Sequence, residues 1–105
     1  MRMTPEALEL VAERFRVLGE PMRLRLLDAL RNGERSVGEL VERTGATQAN
    51  VSKHLALLHG AGLVSRRRVG TTVYYALTDP SIFQLCDLVC GRLEATLDRK
   101  RKAFR

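Results

Sequence analysis

The sequence predicts a mainly α-helical domain carrying one β-hairpin, an α+β fold in the order ααααββα. Three observations point to it. Apolar residues recur at three- and four-residue spacing through residues 8–58 and again from 82 to 97, the period of helices with one buried face. Between these stretches, Leu63–Val69 and Thr72–Leu77 are rich in β-branched and aromatic residues around Gly70-Thr71, which is how a two-residue hairpin reads. Helix start and stop residues punctuate the apolar stretches.

Taken in order, Thr4 and Pro5 are N-cap and first residue of helix one, with Leu8, Val11, Ala12, Phe15 and Leu18 along one side. Gly19-Glu20-Pro21 interrupts it. A second helix begins near Pro21, sets Leu24, Leu27 and Leu30 on one side, and stops at Asn32-Gly33. Ser36 and Glu39 have capping-box spacing. They open a short third helix with Val37, Leu40 and Val41 inward and Gly45 at its end. Thr47 caps a fourth helix that buries Val51, Leu55 and Leu58, and Gly60 and Gly62 break it. After the hairpin, Asp79-Pro80 reads as N-cap and first residue of a last helix. Its wide apolar face includes Ile82, Phe83, Leu85, Cys86, Val89, Cys90, Leu93 and Leu97.

The chain has 105 residues, 45% hydrophobic and 29% charged, ordinary proportions for one globular domain. A core of that size leaves room for stabilisation by oligomerisation. No run of 18 apolar residues is present, so no membrane span is expected. The start shows no basic-then-apolar leader, and two cysteines make no disulfide scaffold. The expected location is the cytoplasm.

Formal net charge is +6, and its placement matters more than its sum. Residues 1–44 balance eight basic against eight acidic side chains. Residues 45–78 carry Lys53, Arg66, Arg67 and Arg68 and no carboxylate, and residues 79–105 carry six basic and four acidic residues. A long stretch free of Asp and Glu suits a surface that meets phosphate. It also describes a solvated basic face. The cluster Arg99–Lys102, in a basic tail over 99–105, reads as a solvated terminal charge run with no specific role, able at most to add non-specific DNA affinity.

Residues 37–43 and 48–59, joined by Thr44-Gly-Ala-Thr47, have the layout of a helix-turn-helix. The second helix buries one face and offers Gln48, Ala49, Ser52 and Lys53 on the other, with His54 at its edge. Short or hydrogen-bonding side chains near a helix N-terminus are what entry into a major groove requires. In the hairpin, alternation puts Arg66 and Arg68 on one face and Arg67 on the other. One of Tyr74 and Tyr75 is expected to pack inward. No phosphate-cradling glycine loop, nucleophile elbow or metal triad appears, so an enzyme is not expected. A winged-helix module for protein assembly remains the alternative.

The run Asn50–Val64, then Arg66–Leu77, together with Leu18-Gly-Glu-Pro-Met-Arg-Leu-Arg-Leu-Leu27 upstream, resembles the ArsR/SmtB family of bacterial winged-helix repressors, and the likeness spans nearly the whole chain. The resemblance implies one winged helix-turn-helix domain over 1–105 and a homodimer joined by the first and last helices, about 5–18 and 80–98. It also implies a palindromic double-stranded DNA operator and release on sensing a metal ion or another chemical signal. Carried over by position, the DNA contacts are Thr47, Gln48, Ala49, Asn50, Ser52, Lys53 and His54, with Arg66, Arg67, Arg68 and Thr71 in the wing.

The signal is less defined. Where arsenite or cadmium sensors of that family carry Cys-Val-Cys, this chain has Ser36-Val37-Gly38. Zinc or nickel sensors use Asp and His on the last helix, and no His follows His59 here. Cys86 and Cys90 remain. At i and i+4 they share a helical face, with Cβ atoms about 5–6 Å apart, too far for an unstrained disulfide, which wants about 3.5–4.5 Å. A soft metal or metalloid bridging two thiolates, or oxidation or persulfidation of a thiol, is one expectation. The other is that both cysteines pack as small apolar residues in a constitutive DNA-binding or assembly factor without an inducer.

Overall fold

A computed structural model of the chain describes residues 2–103, with side chains through Arg99. It contains α1 (Pro5–Leu18), α2 (Pro21–Ala29), β1 (Arg35–Ser36), α3 (Val37–Thr44), α4 (Gln48–Gly60), β2 (Val64–Val69), β3 (Thr72–Leu77) and α5 (Ile82–Ala103). The four helices, the hairpin and the last helix follow the predicted order. The expected basic tail lies, past Arg99, outside the described side chains. Among the described residues no helix is long and apolar enough to cross a membrane.

The helix starts are chemically marked. Thr4 accepts the Ala7 N–H at 3.1 Å ahead of Pro5. Ser36 and Glu39 close a reciprocal capping box, the Glu39 N–H donating to Ser36 Oγ at 3.1 Å and the Ser36 N–H to Glu39 Oε1 at 3.2 Å. Two orphan amides are satisfied at once. The contacts with Ser36, and then the Arg35 guanidinium, hold the Glu39 carboxyl below the usual carboxylate range.

Strand β1 is an addition to the expected elements. Its two residues pair with β3, Arg35 opposite Tyr75 and Ser36 opposite Tyr74, giving a three-stranded antiparallel sheet in the order β1-β3-β2. Ser36 therefore ends a strand and caps α3, which hangs the helix-turn-helix from the sheet edge. Gly70 takes φ +60° while Thr71 keeps a negative φ. A positive φ at the first loop position alone is the II′ pattern that matches strand twist.

Helix α5 starts at Ile82, two residues later than the expected Pro80. The Asp79 carboxylate accepts the Ser81 N–H at 2.9 Å, and the next amides bond three residues back, Phe83 to the Pro80 carbonyl at 3.1 Å and Gln84 to that of Ser81 at 3.0 Å. A tight Asx turn thus precedes the helix.

The core lies among α2, α3 and α4, where Leu26, Leu27, Leu30, Leu40, Val51, Leu55 and Leu58 are buried. The inner face of the sheet closes it with Val64 and Tyr75, and the first turn of α5 adds Phe83. Of the expected α2 stripe, Leu27 and Leu30 hold. Leu24 is 41% exposed and Leu26 takes the core position, because α3 and α4 pack on the Leu26 side. Helices α1 and α5 stand largely outside this core. Leu18 is the buried residue of α1, while Leu8, Val11, Phe15, Val89, Leu93 and Leu97 are exposed.

Candidate nucleic-acid interface

The N-terminus of α4 is presented by a turn that its sequence specifies. Gly45 ends α3 in the left-handed region at φ +70°, its N–H bonded to the Val41 carbonyl. Thr47 then caps α4 by accepting the Asn50 N–H at 3.2 Å. The first turn of α4 holds no acidic residue, so the positive end of its dipole is left for an anion.

Helical geometry divides α4 into two faces. Val51, Leu55 and Leu58 are fully buried. Gln48, Ala49, Asn50, Ser52, Lys53, Ala56 and Gly60 are exposed. Apart from Gln48, Asn50 and Lys53 these are small, so the outer face is shallow enough for close approach to a groove.

His54 departs from its expected place. It is 9% exposed and belongs to the buried face. Its Nδ1 lies 3.2 Å from Arg23 Nη1 and 3.8 Å from Glu20 Oε2. The other ten sequence-predicted contacts, Thr47 at the cap, Gln48, Ala49, Asn50, Ser52 and Lys53 on α4, and Arg66, Arg67, Arg68 and Thr71 on the wing, are exposed.

The wing separates its arginines as alternation predicts. Arg66 stands opposite Tyr75 and Arg68 opposite Val73, while Arg67 stands opposite Tyr74. Tyr75 is the buried tyrosine, so Arg66 and Arg68 extend the inner face of the sheet toward the hairpin tip. Among the described residues neither forms an ion pair. Arg67 is engaged. Its Nε and Nη2 donate to the two oxygens of Glu34 at 2.8 and 2.7 Å, and its guanidinium lies 5.0 Å from the centre of the Tyr74 ring. Hydrogen bonding to Arg67 holds the Glu34 carboxyl below its usual range. The same pair raises the Arg67 guanidinium. A carboxylate from outside the acid-free stretch thus reaches the middle of the wing. Sequence reasoning missed Glu34 and Arg23, which carry no local signal.

Cys86 and Cys90 are brought together in an apolar groove of about 340 Å³ between α1 and α5, walled by Phe15, Leu24, Val89 and Leu93. Cys86 is half-buried and Cys90 exposed. The negative charge of Glu94 beside it, 3.7 Å from Sγ, pushes the Cys90 thiol up, with a smaller contribution from Asp87. Among the described residues no group of three or more His, Cys, Asp or Glu converges as a metal site.

Comparison with known proteins agrees with this architecture. The family model described as bacterial regulatory protein, arsR family, matches residues 20–66. The HTH-type transcriptional regulator KmtR of Mycobacterium tuberculosis is 45% identical over 76 residues, 72% of this chain and 58% of KmtR. This chain thus spans less than two thirds of that relative's length. The transcriptional repressor SmtB homolog of Synechocystis is 36% identical over 98 residues, 89% of this chain and 74% of the relative. Among solved structures, Rv0081 of M. tuberculosis superposes with a TM-score of 0.80 at 35% identity, covering 92% of this chain and 97% of that one. A homodimeric winged helix-turn-helix DNA-binding domain from Mycobacterium bovis gives 0.74 at 34% identity, covering 88% and 85%.

Proposed function

The chain belongs to the arsR family of bacterial regulatory proteins, and on that premise we propose that it acts as a homodimeric, sequence-specific DNA-binding repressor. The observation that carries this reading is the shallow, acid-free outer face of α4 together with Arg66 and Arg68 of the wing, neither of which forms an ion pair among the described residues. Two copies joined along the α1–α5 groove present two α4 helices. On a palindromic operator these enter successive major grooves about 34–36 Å apart. Gln48 reads a base edge, Ala49 permits the approach, and Thr47, Asn50, Ser52 and Lys53 hold phosphates with the helix N-terminus. Arg66, Arg68 and Thr71 follow the backbone from the wing. His54 and Arg67 serve behind this surface.

The test is a salt titration of binding to an operator selected from random duplex by the protein itself. The logarithm of affinity is expected to fall steeply and linearly with the logarithm of salt, because bound cations return to the phosphates. A flat dependence, or failure to enrich any duplex, overturns the proposal.

A second reading concerns the signal. Cys86 and Cys90 face one groove, and Glu94 and Asp87 disfavour the bare Cys90 thiolate. A raised thiol opposes oxidation and metal ligation alike, since both need the thiolate, so the reading rests on the shared groove. Two sulfurs side by side suit a soft cation that displaces both protons, coupled to α4 through the dimer with the 1–3 kcal/mol typical of allosteric linkage. Cadmium is expected to release the wild-type protein from its operator, with peroxide and polysulfide inert. Cys86→Ser and Cys90→Ser are expected to bind DNA without responding. Normal release of both variants by cadmium overturns this assignment and leaves packing as the role of the thiols.

A further inference from the structure

The side chain of Arg23 joins three helices. It projects from the first turn of α2, and its Nε donates to the Val17 carbonyl at 2.6 Å and its Nη2 to that of Arg16 at 3.4 Å. These carbonyls lie at the C-terminal end of α1, where unpaired acceptors and the negative end of the dipole favour a cation. Its Nη1 lies 3.2 Å from His54 Nδ1 on the buried side of α4. Arginine has no acceptor, so in this contact the guanidinium donates toward the imidazole nitrogen. Glu20, the N-cap of α2, accepts the Arg23 N–H at 3.0 Å and places the same oxygen 3.8 Å from His54. Beyond this joint, the end of α1 is held by Leu18, which is buried in the core, and by Val17, which packs against it.

This joint ties the C-terminal end of α1 directly to α4. One of these helices faces the proposed partner and the other faces DNA. A change at the joint alters how far apart the two α4 helices of a dimer stand, without altering the surface that either presents. We propose that Arg23 is a positioning residue that fixes the distance between the two half-sites the dimer recognises, by holding the end of α1 against His54 of α4. This rests on the dimeric DNA-binding function proposed above.

The experiment measures binding of full-length protein to its selected operator, to a single half-site, and to operators with one or two base pairs added or removed between half-sites. Wild type is expected to reject the altered spacings. Arg23→Lys keeps the charge and loses the planar fork. It is expected to lose about tenfold on the optimal operator, the scale of a hydrogen bond to a charged group, and to discriminate less among spacings. Its single half-site affinity and its dimeric mass are expected to stay unchanged. His54→Phe removes the acceptor and reproduces this profile even if the lysine variant does not fold. His54→Asn, which offers an oxygen close to the position of Nδ1, restores it.

A dimer that still binds DNA, with the wild-type spacing profile in both Arg23→Lys and His54→Phe, overturns the inference and leaves the function standing. Equal losses on half-site and full operator also overturn it, because they assign the joint to local support of α4. A wild-type chain that fails to dimerise or to bind duplex overturns the proposed function, and this inference with it.

Discussion

Glu34 and Arg67 lie face to face across β3, joined by two hydrogen bonds of 2.7 and 2.8 Å with the Tyr74 ring beneath the guanidinium. The pair ties the loop before β1 to the middle of β2, so the middle of the wing is fixed to the strand that leads into α3. It also makes the three consecutive arginines of the wing unequal.

Arg66→Ala and Arg68→Ala are expected to weaken binding to all DNA sequences alike and to lower the salt slope by about one each, the mark of a lost phosphate contact. Arg67→Ala is expected to leave the slope nearly unchanged, because its charge is already matched by Glu34. Fluorescence anisotropy against salt, with the same labelled operator for each variant, separates the two behaviours. An equal slope change in all three variants contradicts the assignment of Arg67 to the Glu34 clamp.

The pair also has a defined pH behaviour. The hydrogen bond to Arg67 holds the Glu34 carboxyl below the ordinary glutamate value. A depressed carboxylate contributes stability above its unfolded value and loses it as pH falls through the folded one. The clamp is therefore expected to persist at a pH where free glutamate is already half protonated, and to release only in more acid solution. The Arg67 Nε–H resonance, followed by NMR, reports this directly. Glu34→Gln is expected to abolish the transition, and a midpoint at the ordinary glutamate value contradicts the geometry.

Much of the helix order is legible in the sequence because its signals are local. Thr4-Pro5, the Ser36–Glu39 box and Thr47 mark helix starts within four residues, and the structure uses all three. Strand β1 is not legible, since two residues have no period and this strand forms by pairing backbone to β3. The face of α2 is ambiguous because Leu24-Arg-Leu-Leu27 supports two apolar registers, and packing against α3 and α4 selects the one with Leu26. At the site, the outer face of α4 follows from its period. His54, three residues after Val51 and four before Leu58, falls on the buried face by the same period, and only its partner Arg23, 31 residues away, is hidden from local sequence. The Glu34–Arg67 clamp, 33 residues apart, is hidden for the same reason.

On the reading face, Gln48 and Lys53 are expected to differ in kind. Gln48→Ala relaxes base preference at one operator position, since a bidentate contact to adenine discriminates by about 1–3 kcal/mol. Lys53→Ala lowers affinity for every sequence while preserving preference. Repeating the selection from random duplex with each variant tests both. Unchanged base preference in Gln48→Ala removes that side chain from the groove.

The last prediction concerns what covers α1 and α5. Phe15 and Leu93 are 55% and 57% exposed and line the same groove. They sit outside the buried cluster of α2, α3 and α4. A carboxylate at either position is therefore expected to separate the copies without unfolding the protomer. Phe15→Glu and Leu93→Glu are expected to elute at the mass of a single 11.8 kDa chain, retain helical circular dichroism and bind a single half-site. Their affinity for the full operator drops because two linked contacts become one. Leu40→Ala serves as the contrast. Leu40 is fully buried, so its truncation is expected to cost about 2–5 kcal/mol of stability and leave the dimer surface intact. If the two groove variants remain dimeric, the copies meet elsewhere and the α1–α5 groove is free for another occupant.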